Sequence, residues 1–304
     1  MSPKVKLILN PIADMGRAWR IANDLRPIAN QYGAEWSGTV YPTHATELAR
    51  QAAEQGYERV IALGGDGTAH EVVNGLMQVP AGRRPVMGLV PIGSGNDFAH
   101  ALGVPMSAAR ALAHALEGPV STIDLGLMTD EHGRQEYIDN TAGIGFDAVV
   151  TIRSHKLPFL RGFLMYLVAV LQTIITNHTP ANLQLDIDGQ KIEQSNLMLV
   201  VCNGPREGGG FIVAPDAKQD DGVLDYAMIG GCSRLTMLRL LPEVMRGTHA
   251  KFPQVTLGTM QRLSLVSDRP LYIHVDGEVY TSFGSNLRKV SFEIIPNALK
   301  VVKG

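Results

Sequence analysis

An α/β domain followed by a mostly antiparallel β domain, read as a β-sandwich, is the fold class this sequence predicts. Three observations carry it. In the first third, short apolar runs alternate with stretches of helical spacing, the mark of a parallel sheet covered on both faces. After about Thr122 the runs take a period of two. Asp188-Gly189 and Asp276-Gly277 each lie between alternating runs, a strong hairpin signal. A length of 304 residues allows two domains at about 150 residues each.

In order along the chain, Val5 to Leu9 is an apolar strand that stops at Asn10-Pro11. Ile21, Leu25 and Ile28 recur at helical spacing, so Gly16 to Tyr32 reads as a helix. Trp36 to Tyr41 reads as a second strand, and Ala45 to Gln55 as a helix that Gly56 stops. Val60 to Leu63 is a third strand running into Gly64-Gly65, and Ala69 to Met77 a helix. Val86 to Val90 is a fourth strand, followed by a glycine turn and a short helix from Phe98. Strands are then expected at Leu183 to Ile187, Leu197 to Val201, Val223 to Ile229, Leu263 to Val266, Leu271 to Val275 and Val290 to Ile295. Helices interrupt them only at about Phe159 to Thr176 and Leu235 to Met245.

Composition removes several classes of function. A net charge of -2 gives no general attraction to phosphate backbones, so nucleic acid is not an expected partner. Two cysteines, Cys202 and Cys232, make neither a disulfide framework nor a four-cysteine zinc site. The apolar run in MSPKVKLILNP is too short for a signal peptide, which favours the cytosol. From Gly162 to Leu185 there is no Asp, Glu, Lys or Arg. Its dense part, Phe163 to Ile175, falls short of the ~20 residues that span a bilayer, so a buried helix is favoured. The rival is a helix near lipid, with Lys156 and Arg161 just upstream.

The chemistry concentrates where strands end in glycines. Val60 to Thr68 runs Val-Ile-Ala-Leu-Gly-Gly-Asp-Gly-Thr, and a helix begins at once. Backbone N–H groups at such a turn, with the helix dipole, attract an anion. Asp66 repels phosphate unless a divalent cation lies between them. Taken alone, Asp66 or Thr68 serves equally well as a helix cap. Pro91-Ile-Gly-Ser-Gly-Asn-Asp-Phe98 follows the next strand with glycines, a hydroxyl and a carboxylate. Parallel strands deliver both turns, with Asn10-Pro11 and Thr39, to one sheet edge, where α/β proteins bind ligands. There is no P-loop, and no G-x-G-x-x-G opens the first helix, which disfavours a dinucleotide-dependent dehydrogenase.

Gly64-Gly65-Asp66-Gly67-Thr68, with Asn74-Gly75 behind it, resembles the catalytic domain of diacylglycerol kinases, and Pro91 to Phe98 is similar to that family's second glycine motif. The resemblance runs nearly end to end, through Ile123 to Gly126, Asn140 to Phe146, Ala214 to Asp225 and Val275-Asp276-Gly277-Glu278. Within the family the chain resembles the soluble bacterial, YegS-like lipid kinases. The first motif is shared with the NAD kinase and phosphofructokinase superfamily. The second, with the Asp-Gly-Glu, narrows it.

The resemblance implies an N-terminal three-layer α/β ATP-binding domain over 1–126, rejoined by a last strand at about 298–304, and a β-sandwich lipid-substrate domain over 127–297. It places ATP against Asn10, Pro11, Ile12, Ala13 and Asp14, against Thr39, and against Gly64, Gly65, Asp66, Gly67, Thr68, Ala69, His70 and Glu71. Ser94 joins them, where the family commonly has Thr. Asp66, Asp97 and Asp124 would gather magnesium, and Asp221 with the carbonyls of Lys218 and Val223 a second, structural magnesium. Glu278 would accept the proton of a lipid hydroxyl, with Asp66 and Asp97 as its catalytic companions. The implied enzyme turns diacylglycerol into phosphatidic acid at a membrane surface, as a cytosolic homodimer. Bland rivals stand beside each role: a cap for Asp97, a strand end for Asp124, turn chemistry for Asp221, a solvated strand residue for Glu278. Asp188-Gly189-Gln190, the same dipeptide with no acid next, is expected to be only a turn. His70 and His274 lie near enough to the motifs to support them. The rival functions are a kinase of a soluble substrate such as NAD, and a nucleotide-binding regulator without kinase activity.

Overall fold

The structure, a computed structural model, describes residues 3–157, 160 and 162–304. Two compact units emerge, Met1–Leu125 with Pro296–Gly304, and Gly126–Ile295. The first is an α/β unit. Strands β1 (Val5–Leu9), β2 (Glu35–Gly38), β3 (Arg59–Gly64) and β4 (Val86–Pro91) alternate with helices α1 (Arg17–Gln31), α2 (His44–Glu54), α3 (Asp66–Met77), α4 (Asp97–Ala101) and α5 (Ala108–Glu117). The strands run parallel in the order β4-β3-β1-β2. β1, β3 and β4 are almost wholly buried, as continuous apolar runs between two helical layers must be. Helix α2 turns Ala45, Ala49, Ala52 and Ala53 inward, and these small side chains let α3 come close. A Cβ on Gly75 of α3 would stand 2.2 Å from the carbonyl oxygen of Thr46.

Helix α5 was not expected from the sequence. Its buried face is Ala111, Leu112, Ala115 and Leu116, half of it alanine, which carries little periodic signal. The chain then enters β5 (Val120–Asp130), a long strand of which the sequence reading offered only a strand end at Asp124.

The second unit adds β6 (Gln135–Ile138), β7 (Thr141–Gly145), α6 (Phe146–Ser154), α7 (Gly162–Thr176), β8 (Ala181–Ile187) and β9 (Gln190–Cys202). After these come β10 (Leu224–Gly230), α8 (Arg234–Arg246), β11 (Val255–Met260), β12 (Arg262–Ser267), β13 (Ile273–Val275), β14 (Glu278–Thr281) and β15 (Lys289–Val302). The pairing of β7 with β9, β8 with β9 and β12, and β13 with β7 and β14 is antiparallel throughout. Side chains of β7, β8, β9, β12, β13 and β15 meet in one core around Leu185, Leu199, Leu263, Ile273 and Phe292. A second core forms where α6, α7 and α8 cover the sheet at Val200, Cys202 and Ile229. The expected fold class, an α/β domain followed by a β-sandwich, is the one observed.

Both Asp-Gly pairs make two-residue hairpins, with Ile187 facing Gln190 and Val275 facing Glu278. Asp188 and Asp276 both take φ 49°, and Gly189 and Gly277 follow at 88° and 83°, the left-handed pair that such turns require. Two expectations fail. The second domain holds a helix outside the two expected places, α6, whose Phe146 follows Gly145 at φ 79°. The strand expected at Val290 to Ile295 and the one expected at about 298–304 are one continuous strand, β15. The helix start at Phe159 and the flanking Arg161 lie outside the described residues. No helix among the described residues is long and apolar enough to cross a membrane.

Candidate functional site

Three backbone bonds carry the parallel ladder of the first unit past its strand ends. Thr39 N donates to Leu9 O (2.9 Å), Asn10 N to Leu63 O (3.0 Å) and Ile92 N to Gly64 O (2.7 Å). They draw the loops after β1, β2, β3 and β4 to one edge. The two glycine turns then touch main chain to main chain. A Cβ on Gly93 would sit 2.4 Å from Gly65 Cα, and one on Gly64 would sit 2.2 Å from Thr68 Oγ1. Glycine is therefore a steric requirement at both. Thr68 Oγ1 accepts from Asn10 Nδ2 (3.2 Å), which ties the first loop to the third. Asn96, left-handed at φ 53°, holds Gly93 from both sides: its Oδ1 accepts from Gly93 N (2.9 Å) and its Nδ2 donates to Gly93 O (2.9 Å).

Asp66 opens α3 but does not cap it. Its carboxylate reaches across to the start of α4, where Oδ1 accepts from Phe98 N (3.2 Å), with further backbone bonds from Asn96 and Asp97. Asp66 as a whole is half-buried, yet its carboxyl is turned into the loops. Burial, then the charge of Asp97, pushes that carboxyl up to about 7. Asp97 is 5% exposed and Asp124 4%. Asp124 Oδ1 accepts from Asn297 N (2.7 Å). Asp66 and Asp97 thus crowd two carboxyls beside glycine turns rich in backbone donors. Such a donor set of hard oxygens fits magnesium.

Of the other residues expected on ATP, Glu71 is committed elsewhere. Its two oxygens accept from Thr43 N and Ala45 N, 2.9 Å each, and so brace the start of α2. His70 is buried, and its carbonyl accepts from Asn74 Nδ2 (3.1 Å). After β1 the chain turns sharply. Asp14 and Met15 both adopt left-handed backbone, at φ 47° and 55°, and Asp14 pairs with Arg17 at 3.5 Å. Ile12 is 78% exposed, Thr39 and Pro11 are half-buried, and Ser94 is exposed.

In the second unit, Lys218 and Asp221 are exposed, and Asp221 Oδ1 accepts from Val223 N at 3.4 Å. Burial, then the charges of Asp221 and Asp216, lifts the carboxyl of nearby Asp225 to about 6. Negative charge accumulates at this turn, which fits the second cation. Glu278 is exposed at the first position of β14. The turn before it is firmly anchored. Asp276 is 4% exposed, and its carboxylate accepts from Asp139 N (3.1 Å), Asn140 N (2.9 Å) and Thr141 N (2.8 Å). His274 adds a second anchor. Gly277 N donates to its Nδ1 (3.4 Å), which leaves Nε2 as the donor to Asp147 Oδ2 (2.6 Å). Sequence reasoning gave Asp276 no role beyond the turn. The Asn140 to Phe146 segment was noticed, but nothing local links it to residue 276. Asp188, expected to be only a turn, also accepts backbone bonds, from Gln261 N (3.0 Å) and Arg262 N (2.8 Å).

Family models match most of the chain. Residues 4–128 match the diacylglycerol kinase catalytic domain, and residues 140–303 the YegS C-terminal NAD kinase beta sandwich-like domain. A diacylglycerol kinase of Mycobacterium tuberculosis is 29% identical over 304 residues, covering 99% of this chain and 95% of that one. A Chromohalobacter salexigens protein named "Probable lipid kinase YegS-like" is 34% identical over 255 residues, 83% of this chain and 78% of its own. A Bacillus anthracis crystal structure superposes with TM-score 0.81 at 23% identity, covering 99% of this chain and 95% of that one, a likeness of fold. Glycine turns, carboxylates and the Asp-Gly-Glu hairpin thus fall within matched segments, and this chain belongs to the diacylglycerol kinase and YegS-like lipid kinase family.

Proposed function

We propose that the chain transfers the γ-phosphoryl group of ATP to a lipid hydroxyl, with diacylglycerol to phosphatidic acid as the leading case. Family membership implies ATP as the donor. The observation that best supports the reading is Asp66, whose carboxylate crosses the glycine turns to accept from Phe98 N (3.2 Å) beside the buried Asp97. Asn10, Thr68 and the N–H groups of the two turns would hold the phosphates. Asp66, Asp97 and Asp124 would hold magnesium, which when bound neutralises charge on the transferring group. Lys218, Asp221 and Val223 would hold the second ion. Glu278 then accepts the proton of the attacking hydroxyl. Its exposure leaves the carboxylate available, and the buried Asp276 fixes the hairpin that carries it. Phosphoryl transfer relies on positioning and charge neutralisation rather than on a covalent intermediate.

Catalysis at a membrane surface from the cytosol, by a homodimer, completes the proposal. Incubation with labelled ATP, magnesium and a panel of diacylglycerol, monoacylglycerol, phosphatidylglycerol and NAD tests it. Label in a lipid product is expected. Label only in NAD, or none in any acceptor, would reject the lipid reading. Sedimentation of the purified chain tests the dimer.

A further inference from the structure

The Glu278 hairpin has a hold beyond Asp276, and it comes from helix α6. Asp276 ties the end of β13 to residues 139–141. Gly277 follows at φ 83° and directly precedes Glu278. Its N–H donates to His274 Nδ1 (3.4 Å). His274 is 3% exposed, and its other ring nitrogen, Nε2, lies 2.6 Å from Oδ2 of Asp147 in the first turn of α6. Glu207 Oε2 lies 3.9 Å from the same nitrogen. Room for the pair is built into β7. His274 faces Gly143 across the β7–β13 ladder, and a Cβ on Gly143 would collide with both Asp147 Oδ2 and His274 Nε2. A side chain at this position would drive the pair apart.

An uncharged imidazole carries one N–H and one acceptor nitrogen. Carboxylates lie on the Nε2 side of His274 and a backbone donor on the Nδ1 side, so the tautomer with hydrogen on Nε2 satisfies both. A carboxylate bonded to one ring nitrogen sets which form the ring takes and how it is turned. We propose that Asp147 and His274 are positioning residues for Glu278. Asp147 holds His274 as the Nε2–H tautomer, and Nδ1 then fixes the Gly277 amide and the start of β14. The role rests on the lipid kinase reading, in which Glu278 takes the hydroxyl proton. A base must lie within hydrogen-bond reach of the proton it removes, and a misplacement of about 1 Å costs about 10²-fold in rate. A pair that only glues α6 to β13 would need neither this tautomer nor the Gly277 bond.

The test uses the full chain and has two arms. The first needs no turnover: nitrogen NMR of the imidazole groups, with the His274 signals identified by their loss in His274→Gln. The wild type should show the Nε2–H form at neutral pH, and Asp147→Leu should lose that preference. An imidazolium or an Nδ1–H form in the wild type overturns the proposal. The second arm measures kcat on a lipid that the wild type phosphorylates. His274→Gln places an amide nitrogen near Nε2 and keeps the bond to Asp147. His274→Asn places a carbonyl near Nδ1 and keeps the bond from Gly277. The Gln variant should lose about tenfold or more in kcat at unchanged KM for ATP, and the Asn variant should lose less. In a Glu278→Gln background, His274→Gln should cost nothing further, because the base it positions is gone. Equal losses in both backgrounds, or full kcat in His274→Gln, overturn the positioning role. Circular dichroism checks each fold. Should His274→Gln unfold, Asp147→Asn against Asp147→Leu decides: the Asn chain keeps an acceptor for Nε2–H and should have the higher kcat, and equal values overturn the role. A wild type that phosphorylates no lipid yet shows the Nε2–H form rejects the kinase reading and upholds the hold of Asp147 on His274 and Gly277.

Discussion

At the scale of the residue, environment separates carboxylates that brace the backbone from those left exposed. Asp276 accepts three backbone N–H groups and is buried, whereas Glu278, two positions on, is exposed with no such commitment. Glu278→Gln keeps size and hydrogen bonding but takes no proton. It should lower kcat by about 10²–10⁴-fold with ATP affinity unchanged. Turnover within a few-fold of wild type would make Glu278 a solvated strand residue. Asp66 offers a test that needs no substrate. Burial, then the charge of Asp97, pushes its folded carboxyl up to about 7, above an unfolded aspartate. The native state therefore holds a proton that the unfolded chain has released, and stability falls as pH rises from about 4 to about 7. In metal-free buffer, Tm should decline across that window in the wild type. Asp66→Asn, with nothing to titrate there, should show a shallower slope. Parallel slopes would mean that this carboxyl is ionised like any other.

At the scale of the element, the sequence is informative wherever the signal is local. Val5 to Leu9 is observed as expected, and both Asp-Gly hairpins form because turn geometry and residue choice lie in adjacent positions. Helix α5 hides behind alanines, and α6 behind a glycine whose positive φ only the fold reveals. The site divides the same way. The glycine turns are visible as motifs. That Asp66 braces α4, Glu71 braces α2 and Asp276 holds residues 139–141 is not visible, since each bond joins loops distant in sequence. These braces change the reading of the Asp188-Gly189 turn. Asp188 is no idle turn residue, because Gln261 and Arg262 depend on it. Asp188→Ala should therefore lower Tm by the same amount with or without magnesium, through unsatisfied N–H groups worth about 1–3 kcal/mol each if shielded from water. Asp221→Ala should instead abolish the rise in Tm that magnesium gives the wild type. An Asp221→Ala chain that still gains stability from magnesium would place the ion elsewhere.

At the scale of the whole molecule, the chain's last residues complete a unit begun at its start. Ala298, Leu299, Val301 and Val302 are buried within the α/β unit, and Val301 pairs in parallel with Met87 of β4. Arg84 Nη1 donates to Ala298 O (2.8 Å), Asn297 N to Asp124 Oδ1 (2.7 Å) and Gly304 N to Leu102 O (2.8 Å). Burial of the leucine and two valines contributes about 1.5–3 kcal/mol each, and the lost bonds add to that. The total is comparable with the whole stability of a domain, about 5–15 kcal/mol. A chain ending at Pro296 should therefore lose the α/β unit, although it keeps every motif residue from Asn10 to Glu278. Unit two has its own core around Leu199, Leu263 and Phe292, and should outlast it. Limited proteolysis with mass spectrometry would read this directly. In the truncated chain, cuts should spread through residues 3–125 while 126–295 stays protected. The full chain should resist in both. Equal protection of the two units after truncation would show that the parallel sheet holds without its last strand, and that the bonds at Ala298 and Asn297 are dispensable.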